Sequence, residues 1–156
     1  MEKVPGVQKQ MRRCGRGVGK PVGLATQMLE SMSSSPVPTR AEVSDVATAI
    51  FEGADAVMLS AESAAGQYPV EAVATMNRIA EETEKDPLYR GILDGQRAVP
   101  EATGADAIAD AARHIADTLD LPAVMCWTSS GSAGLRMARD RPRPPGMGAP
   151  PNLSPG

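Results

Sequence analysis

Apolar positions recur along the chain in two rhythms, one helical and one of short unbroken runs. Val4, Val7, Met11 and Cys14 fall three and four apart, which places them on one helical stripe, and Pro5 suits a first turn. Gly15, Gly17 and Gly19 then end that helix. Residues 21–26 form a short apolar run closing on a polar residue, which predicts a strand buried on both faces. After a loop over 33–38, Thr39 and Glu42 make a T-x-x-E capping box, in which hydroxyl and carboxylate satisfy free backbone donors at a helix start. Val43, Val46, Ala47 and Ile50 supply the buried stripe and Gly53 the stop. Residues 54–60 read as a second buried strand, so the unit is strand, helix, parallel strand.

Helical period returns over 69–84, with Ala72, Val73, Met76, Ile79 and Ala80 on one side. Pro87, Gly91, Gly95 and Pro100 interrupt weakly patterned positions, which predicts a linker over 87–102 between a first domain at 1–86 and a second at 103–140. In the second, Ala107, Ile108, Ala111, Ala112, Ile115 and Leu119 mark an amphipathic helix, 123–127 a strand, and 128–132 a turn into another helix. Over 141–156 proline and glycine are too dense, and apolar residues too few, for a packed element, which predicts a disordered tail.

A length of 156 residues allows one core or two small ones. Aromatic residues are 3% of the chain, so core material comes from alanine, valine, leucine and methionine. A formal charge of −3 without a dense basic cluster points away from nucleic acid, and Arg12, Arg13 and Arg16 read as a solvated helix face. Cys14 and Cys126 lie far apart with no CxxC spacing, no leader pattern opens the chain, and no apolar run is long enough for a membrane span. A soluble cytoplasmic protein is the expectation.

In parallel α/β folds reacting groups gather at the carboxyl ends of strands. Thr26, Ser60 and Glu62 sit there, although spacing alone favours two strand terminators and a helix-capping carboxylate. The Thr128-Ser129-Ser130-Gly131-Ser132 turn sits between a strand and a helix, where backbone N–H groups and hydroxyls can converge on a phosphate, although such turns also occur without any ligand. His114 is the only histidine, so neither a metal set nor a histidine-based triad can be assembled, and it reads as a helix-surface residue. Met28 and Met32 read as packing, and neither GxGxxG nor a P-loop is present.

Two strings are more specific than any of these: GKPVGLATQMLESM and PTRAEVSDVATAIFEGADAVMLSAESAAGQYPVEAV. They resemble the closing part of the pyruvate kinase barrel, and the likeness continues in EKVPGVQKQ upstream and in ATGADAI and CWTSSGSAGLRMARDRPRPP downstream. The resemblance implies a partial (β/α)8 TIM barrel, its last two βα units, followed by the beginning of an α/β carboxyl-terminal domain. It implies, as the parent reaction, phosphoryl transfer from phosphoenolpyruvate to ADP in glycolysis, giving pyruvate and ATP with Mg2+ and K+, in an enzyme that commonly assembles as a tetramer. By the same likeness Thr26 falls on the ATQ threonine that lies against substrate, Ser60 and Glu62 on a loop near the substrate and nucleotide end of the barrel, and Thr128, Ser130 and Ser132 on a loop that in many members holds the phosphate of a sugar-phosphate activator.

The family's transition-state lysine, magnesium-binding acids, potassium ligands and phosphate-clamping arginine belong to strands upstream of this chain, so the resemblance implies a piece with no catalytic residue or metal ligand of its own. Phosphoryl transfer rests on positioning and charge neutralisation by such groups, so an inert isolated chain is expected. After Pro145 the likeness stops at GMGAPPNLSPG, as a shifted reading frame would leave it, and QMRRCGRGV and GLAT also depart from the family pattern. Beside the enzymatic reading stand a non-catalytic piece that joins pyruvate kinase subunits through the helix after Thr39 or holds a phosphorylated ligand, and a degraded gene product.

Overall fold

Thr39 and Glu42 cap a helix as their spacing requires. In the computed structural model, which describes residues 2–25, 28–97 and 99–149, the Thr39 Oγ1 accepts the Glu42 N–H at 3.3 Å and the Glu42 carboxylate accepts the Thr39 N–H at 2.7 Å. The helix it opens, α2 (Arg40–Phe51), ends at Gly53, whose φ of +81° is the left-handed conformation a glycine adopts without a Cβ penalty. The chain divides into two compact units, one of the described residues within 1–13 and 21–96, the other of those within 14–20 and 97–149.

In the first unit β1 (Gly23–Leu24) and β2 (Ala56–Val57) pair in parallel, Gly23 opposite Ala56 and Leu24 opposite Val57, with α2 as the crossover between them. Asp55 fastens the start of the ladder: its N–H donates to the Val22 carbonyl at 2.9 Å, and its Oδ2 accepts the Val22 N–H at 2.8 Å. After β2 come a short helix α3 (Ala61–Ala64), α4 (Pro69–Lys85) and α5 (Pro87–Gly95). The core gathers Leu24, Met28, Leu29, Met32, Val46, Ile50, Ala72, Met76, Tyr89 and Leu93. Leu29, Met32 and Val46 are fully enclosed, and each such burial contributes about 1.5–3 kcal/mol.

Several expectations change here. Both strands are shorter than the runs 21–26 and 54–60, and three of their four residues stay partly or fully exposed, because a sheet of two strands offers no second layer to bury against. Residues 87–95, expected as linker, form a helix: Asp86 Oδ1 caps it by accepting the Leu88 N–H at 2.8 Å, Pro87 starts it, and Tyr89 and Leu93 enter the core. Most instructive is α1 (Val4–Gly17), whose residues 4–13 belong to this unit. Its apolar stripe faces outward, with Val4, Val7 and Met11 exposed by 61%, 51% and 68%, while Arg12, expected on a solvated face, is the buried side chain at 8%.

The second unit pairs β3 (Val124–Trp127) with β4 (Gly146–Ala149) in parallel, Val124 opposite Gly146 through Trp127 opposite Ala149. Helices α6 (Gly104–Thr118) and α7 (Ser132–Asp140) complete it. Here too the apolar stripe is turned out: Ile108, Ile115 and Leu119 are exposed, and α6 buries Asp106, Ala109, Arg113 and Ala116. The strand at 146–149 corrects the expectation of a tail without packed elements. A ladder is made by backbone groups, which Gly-Met-Gly-Ala supplies whatever its side chains, and the approach is tied by the Arg143 N–H to Asp117 Oδ1 at 2.8 Å and the Val124 N–H to the Pro145 carbonyl at 3.0 Å.

Candidate functional site

Two places collect the residues singled out by sequence, one in each unit. In the first, β2 runs out through Met58 and Leu59 to Ser60, the residue before α3. Ser60 is exposed and its hydroxyl does not cap the helix. Glu62 is enclosed, 3% exposed, and its carboxylate folds back to accept the Ser60 N–H at 2.6 Å. The pair is therefore brought together, with Glu62 as a charge-assisted clamp on the backbone turn at the carboxyl end of β2. Thr26, the third expected member, lies outside the described residues.

The neighbouring loop is held by a second carboxylate. Glu42, besides capping α2, accepts the Ser31 N–H at 2.7 Å and the Ser31 hydroxyl at 2.5 Å, so one side chain joins the Glu30–Ser33 turn to the start of α2. Partial burial pushes its pKa up, but the hydrogen bonds from Ser31 and Thr39 outweigh this and bring it from 4.5 down to about 2. The turn also packs against α3, which positions the Ser60–Glu62 corner.

In the second unit Thr128, Ser130 and Ser132 lie between β3 and α7. The Thr128 N–H donates to the Ala149 carbonyl at 3.1 Å, the Ser130 and Ser132 hydroxyls are 3.0 Å apart, and Gly131 adopts φ +79° to turn the chain into the helix. Ser130 and Ser132 are exposed and Thr128 is half-buried. Ser132 also lines a cavity of about 290 Å³ with Gly19, Glu101, Arg136 and Arg139. Two hydroxyls and a helix start of this kind can offer donors to an anion oxygen.

Sequence reasoning missed the group behind that cavity. Asp106 is completely enclosed; it accepts the Glu101 N–H at 2.9 Å, pairs with Arg139 Nη2 at 2.9 Å and meets Arg136 Nη1. Arg139 in turn donates from Nε to Asp140 at 3.2 Å. The Glu101 hydrogen bond is the main cause that holds the Asp106 pKa below the ordinary carboxylate range, against burial and with help from both arginines. For Arg139, burial alone lowers the pKa, and its pairing with Asp106 and Asp140 reverses the sign and raises it. The Thr103-x-x-Asp106 spacing signals the cap of α6, whose Thr103 Oγ1 accepts the Asp106 N–H at 3.3 Å. No local pattern signals arginines thirty residues away.

Among the described residues no helix is long and apolar enough to cross a membrane. Residues 1–73 match the family model described as pyruvate kinase, barrel domain. A protein named pyruvate kinase from Methylorubrum extorquens is 66% identical over 142 residues, 91% of this chain and 30% of its own length. Proteins of the same name from Agrobacterium vitis and Geobacillus stearothermophilus are 55% and 50% identical over 144 residues, 92% of this chain and 30% and 24% of theirs. The chain thus spans about 30% or less of the curated relatives it matches. With a mixed α/β fold of parallel βα units and this similarity over nearly all its length, the chain belongs to the pyruvate kinase family.

Proposed function

We propose that this chain supplies the closing βα units of a pyruvate kinase barrel and the start of the domain after it, in a cytoplasmic enzyme that transfers a phosphoryl group from phosphoenolpyruvate to ADP. The observation that carries the reading is the clamped Ser60–Glu62 corner at the carboxyl end of a parallel strand, inside the stretch that matches the barrel domain. In this reading Thr26 touches substrate, and Ser60 and Glu62 shape the loop beside it without carrying a proton in the reaction.

Mg2+ and K+ belong to the family's chemistry, where the ions neutralise charge on the transferred group. The residues described here do not fit them: no three His, Cys, Asp or Glu side chains come together, and the Glu62 carboxylate is already committed to the Ser60 N–H. No step is therefore routed through a metal in this chain. The ions, and with them phosphoryl transfer, require residues supplied from elsewhere in a complete barrel, and the 156-residue chain alone is inert.

The test is a coupled assay of pyruvate formation with Mg2+ and K+, run on the 156-residue chain, on its Thr26→Ala variant, and on a chimera in which the chain replaces the matching region of the M. extorquens protein. Activity in the chimera, its loss with Thr26→Ala, and none in the chain alone are the expected results. Pyruvate formed by the chain alone above its Thr26→Ala control refutes the reading. A second role is favoured by the 3.0 Å Ser130–Ser132 contact: a phosphorylated ligand held by Thr128, Ser130 and Ser132 on a piece that associates with pyruvate kinase subunits. Phosphate protection of these residues in an NMR titration checks it.

A further inference from the structure

Two loops at the carboxyl ends of neighbouring parallel strands are joined by side chains to which the proposed function gives no part. The Glu30–Ser33 turn comes after β1, and α3 with the loop behind it comes after β2. The turn is held from two sides. On one, the Glu42 carboxylate accepts the Ser31 N–H on Oε1 at 2.7 Å and the Ser31 hydroxyl on Oε2 at 2.5 Å. On the other, the Ser33 carbonyl accepts the Gln67 N–H at 2.9 Å. The backbones meet so closely there that a Cβ on Gly66 would stand 3.1 Å from the Ser33 Cα and 2.7 Å from the Glu62 carbonyl oxygen. The Ser33 hydroxyl is shut from water, and the side chains of Leu29 and Met32 are fully enclosed. A close-packed turn of this kind passes displacement on to what it touches. Beyond Gly66 lies Glu62, whose carboxylate accepts the Ser60 N–H at 2.6 Å, so the Ser60–Glu62 corner is the far end of this chain of contacts.

We infer that Glu42 is a positioning residue for the substrate loop: through Ser31 it sets the Glu30–Ser33 turn, and through the seam of Ser33 with Gly66 and Gln67 that turn sets the Ser60–Glu62 corner. The inference rests on the proposed function, in which the corner shapes the loop beside phosphoenolpyruvate, and adds a residue that acts on it through others. Substrate binds the molecules whose corner is in place, so loosening the tie lowers that fraction and weakens binding in proportion. Saturating substrate draws the corner back, and turnover is kept. The Thr39 hydroxyl supplies an internal comparison. It caps the same helix by accepting the Glu42 N–H at 3.3 Å and is no part of the bonds to Ser31.

Amide exchange followed by NMR on the 156-residue chain reads the coupling without any activity. Glu42→Ala should speed exchange of the Ser60 and Gln67 amides by about tenfold, and Ser31→Ala, which removes the hydroxyl and keeps the backbone bond, by about threefold. Thr39→Ala, which loosens the helix start alone, should leave both within about twofold. In the chimera with the M. extorquens protein, Glu42→Ala should raise KM for phosphoenolpyruvate by about fivefold and hold kcat within about twofold, whereas a loss of folded enzyme lowers kcat and leaves KM. The inference is overturned by Ser60 exchange that is unchanged in Glu42→Ala or, where that variant does not fold, in Ser31→Ala. Exchange that is as fast in Thr39→Ala overturns it too, as does an active chimera whose KM is unmoved. An inactive parent chimera refutes the proposed function, and the coupling of Glu42 to Ser60 is then upheld or overturned by the exchange rates alone.

Discussion

Replacing Glu42 by glutamine tests how a single carboxylate joins a turn to a helix. The native side chain receives hydrogen bonds from both the N–H and the hydroxyl of Ser31 and of Thr39. A drop from 4.5 to about 2 corresponds to a ceiling of about 3 kcal/mol at ~1.4 kcal/mol per unit. Glu42 is half-exposed, and solvent screening brings this to about 1–2 kcal/mol. Because the folded pKa lies below the unfolded one, the contribution is complete above about pH 4.5 and disappears as pH falls toward 2. Glutamine mimics the protonated acid in shape and charge. Urea unfolding followed by far-UV circular dichroism, on both proteins at matched pH, should therefore show Glu42→Gln less stable by about 1–2 kcal/mol at pH 7. The difference should close to near zero by pH 2, while other carboxylates cancel in the comparison. A gap that is the same size at both pH values, or absent at pH 7, refutes the reasoning.

Other perturbations separate the two units. Asp106→Asn takes the buried counter-ion from Arg136 and leaves Arg139 with Asp140 alone, so the second unit should lose its cooperative unfolding transition in Trp127 fluorescence; in the unaltered chain that stability should decline as pH falls below the ordinary carboxylate range. Leu29→Ala, at a fully enclosed site, should cost about 2–5 kcal/mol in urea unfolding of the first unit. Gly66→Ala places a Cβ 2.7 Å from the Glu62 carbonyl oxygen, so the loop after α3 must shift; faster amide exchange over 60–67 is the expected readout.

What the sequence makes legible here is whatever local chemistry decides. The Thr39–Glu42 box, the stop at Gly53 and the helix through Ala72 and Met76 depend on neighbours three or four positions away, and all three form where expected. Which way a helix faces is a different matter. The stripes of α1 and α6 have the correct period, yet Val7, Met11, Ile108 and Leu119 face outward, because periodicity records the apolar side and not whether anything is there to cover it. Proline and glycine misled at 87–95, where Pro87 starts a helix, and at 146–149, where glycine permits a strand. At the candidate site, Ser60 and Glu62 were visible from their place after a strand, but that Glu62 is enclosed and bonded to the Ser60 N–H depends on a backbone turn. The Asp106 cluster depends on side chains from two helices and has no linear signature.

The helix at 87–95 has a consequence for where the chain tolerates being cut. Tyr89 and Leu93 belong to the core of the first unit, and the division between units falls after Gln96. A protease that nicks the polypeptide between 97 and 103 leaves those two side chains in place and should release a resistant amino-terminal piece. One that cuts at Lys85 removes them and exposes the faces of α2 and α4 that they cover, so digestion should run on without a stable intermediate.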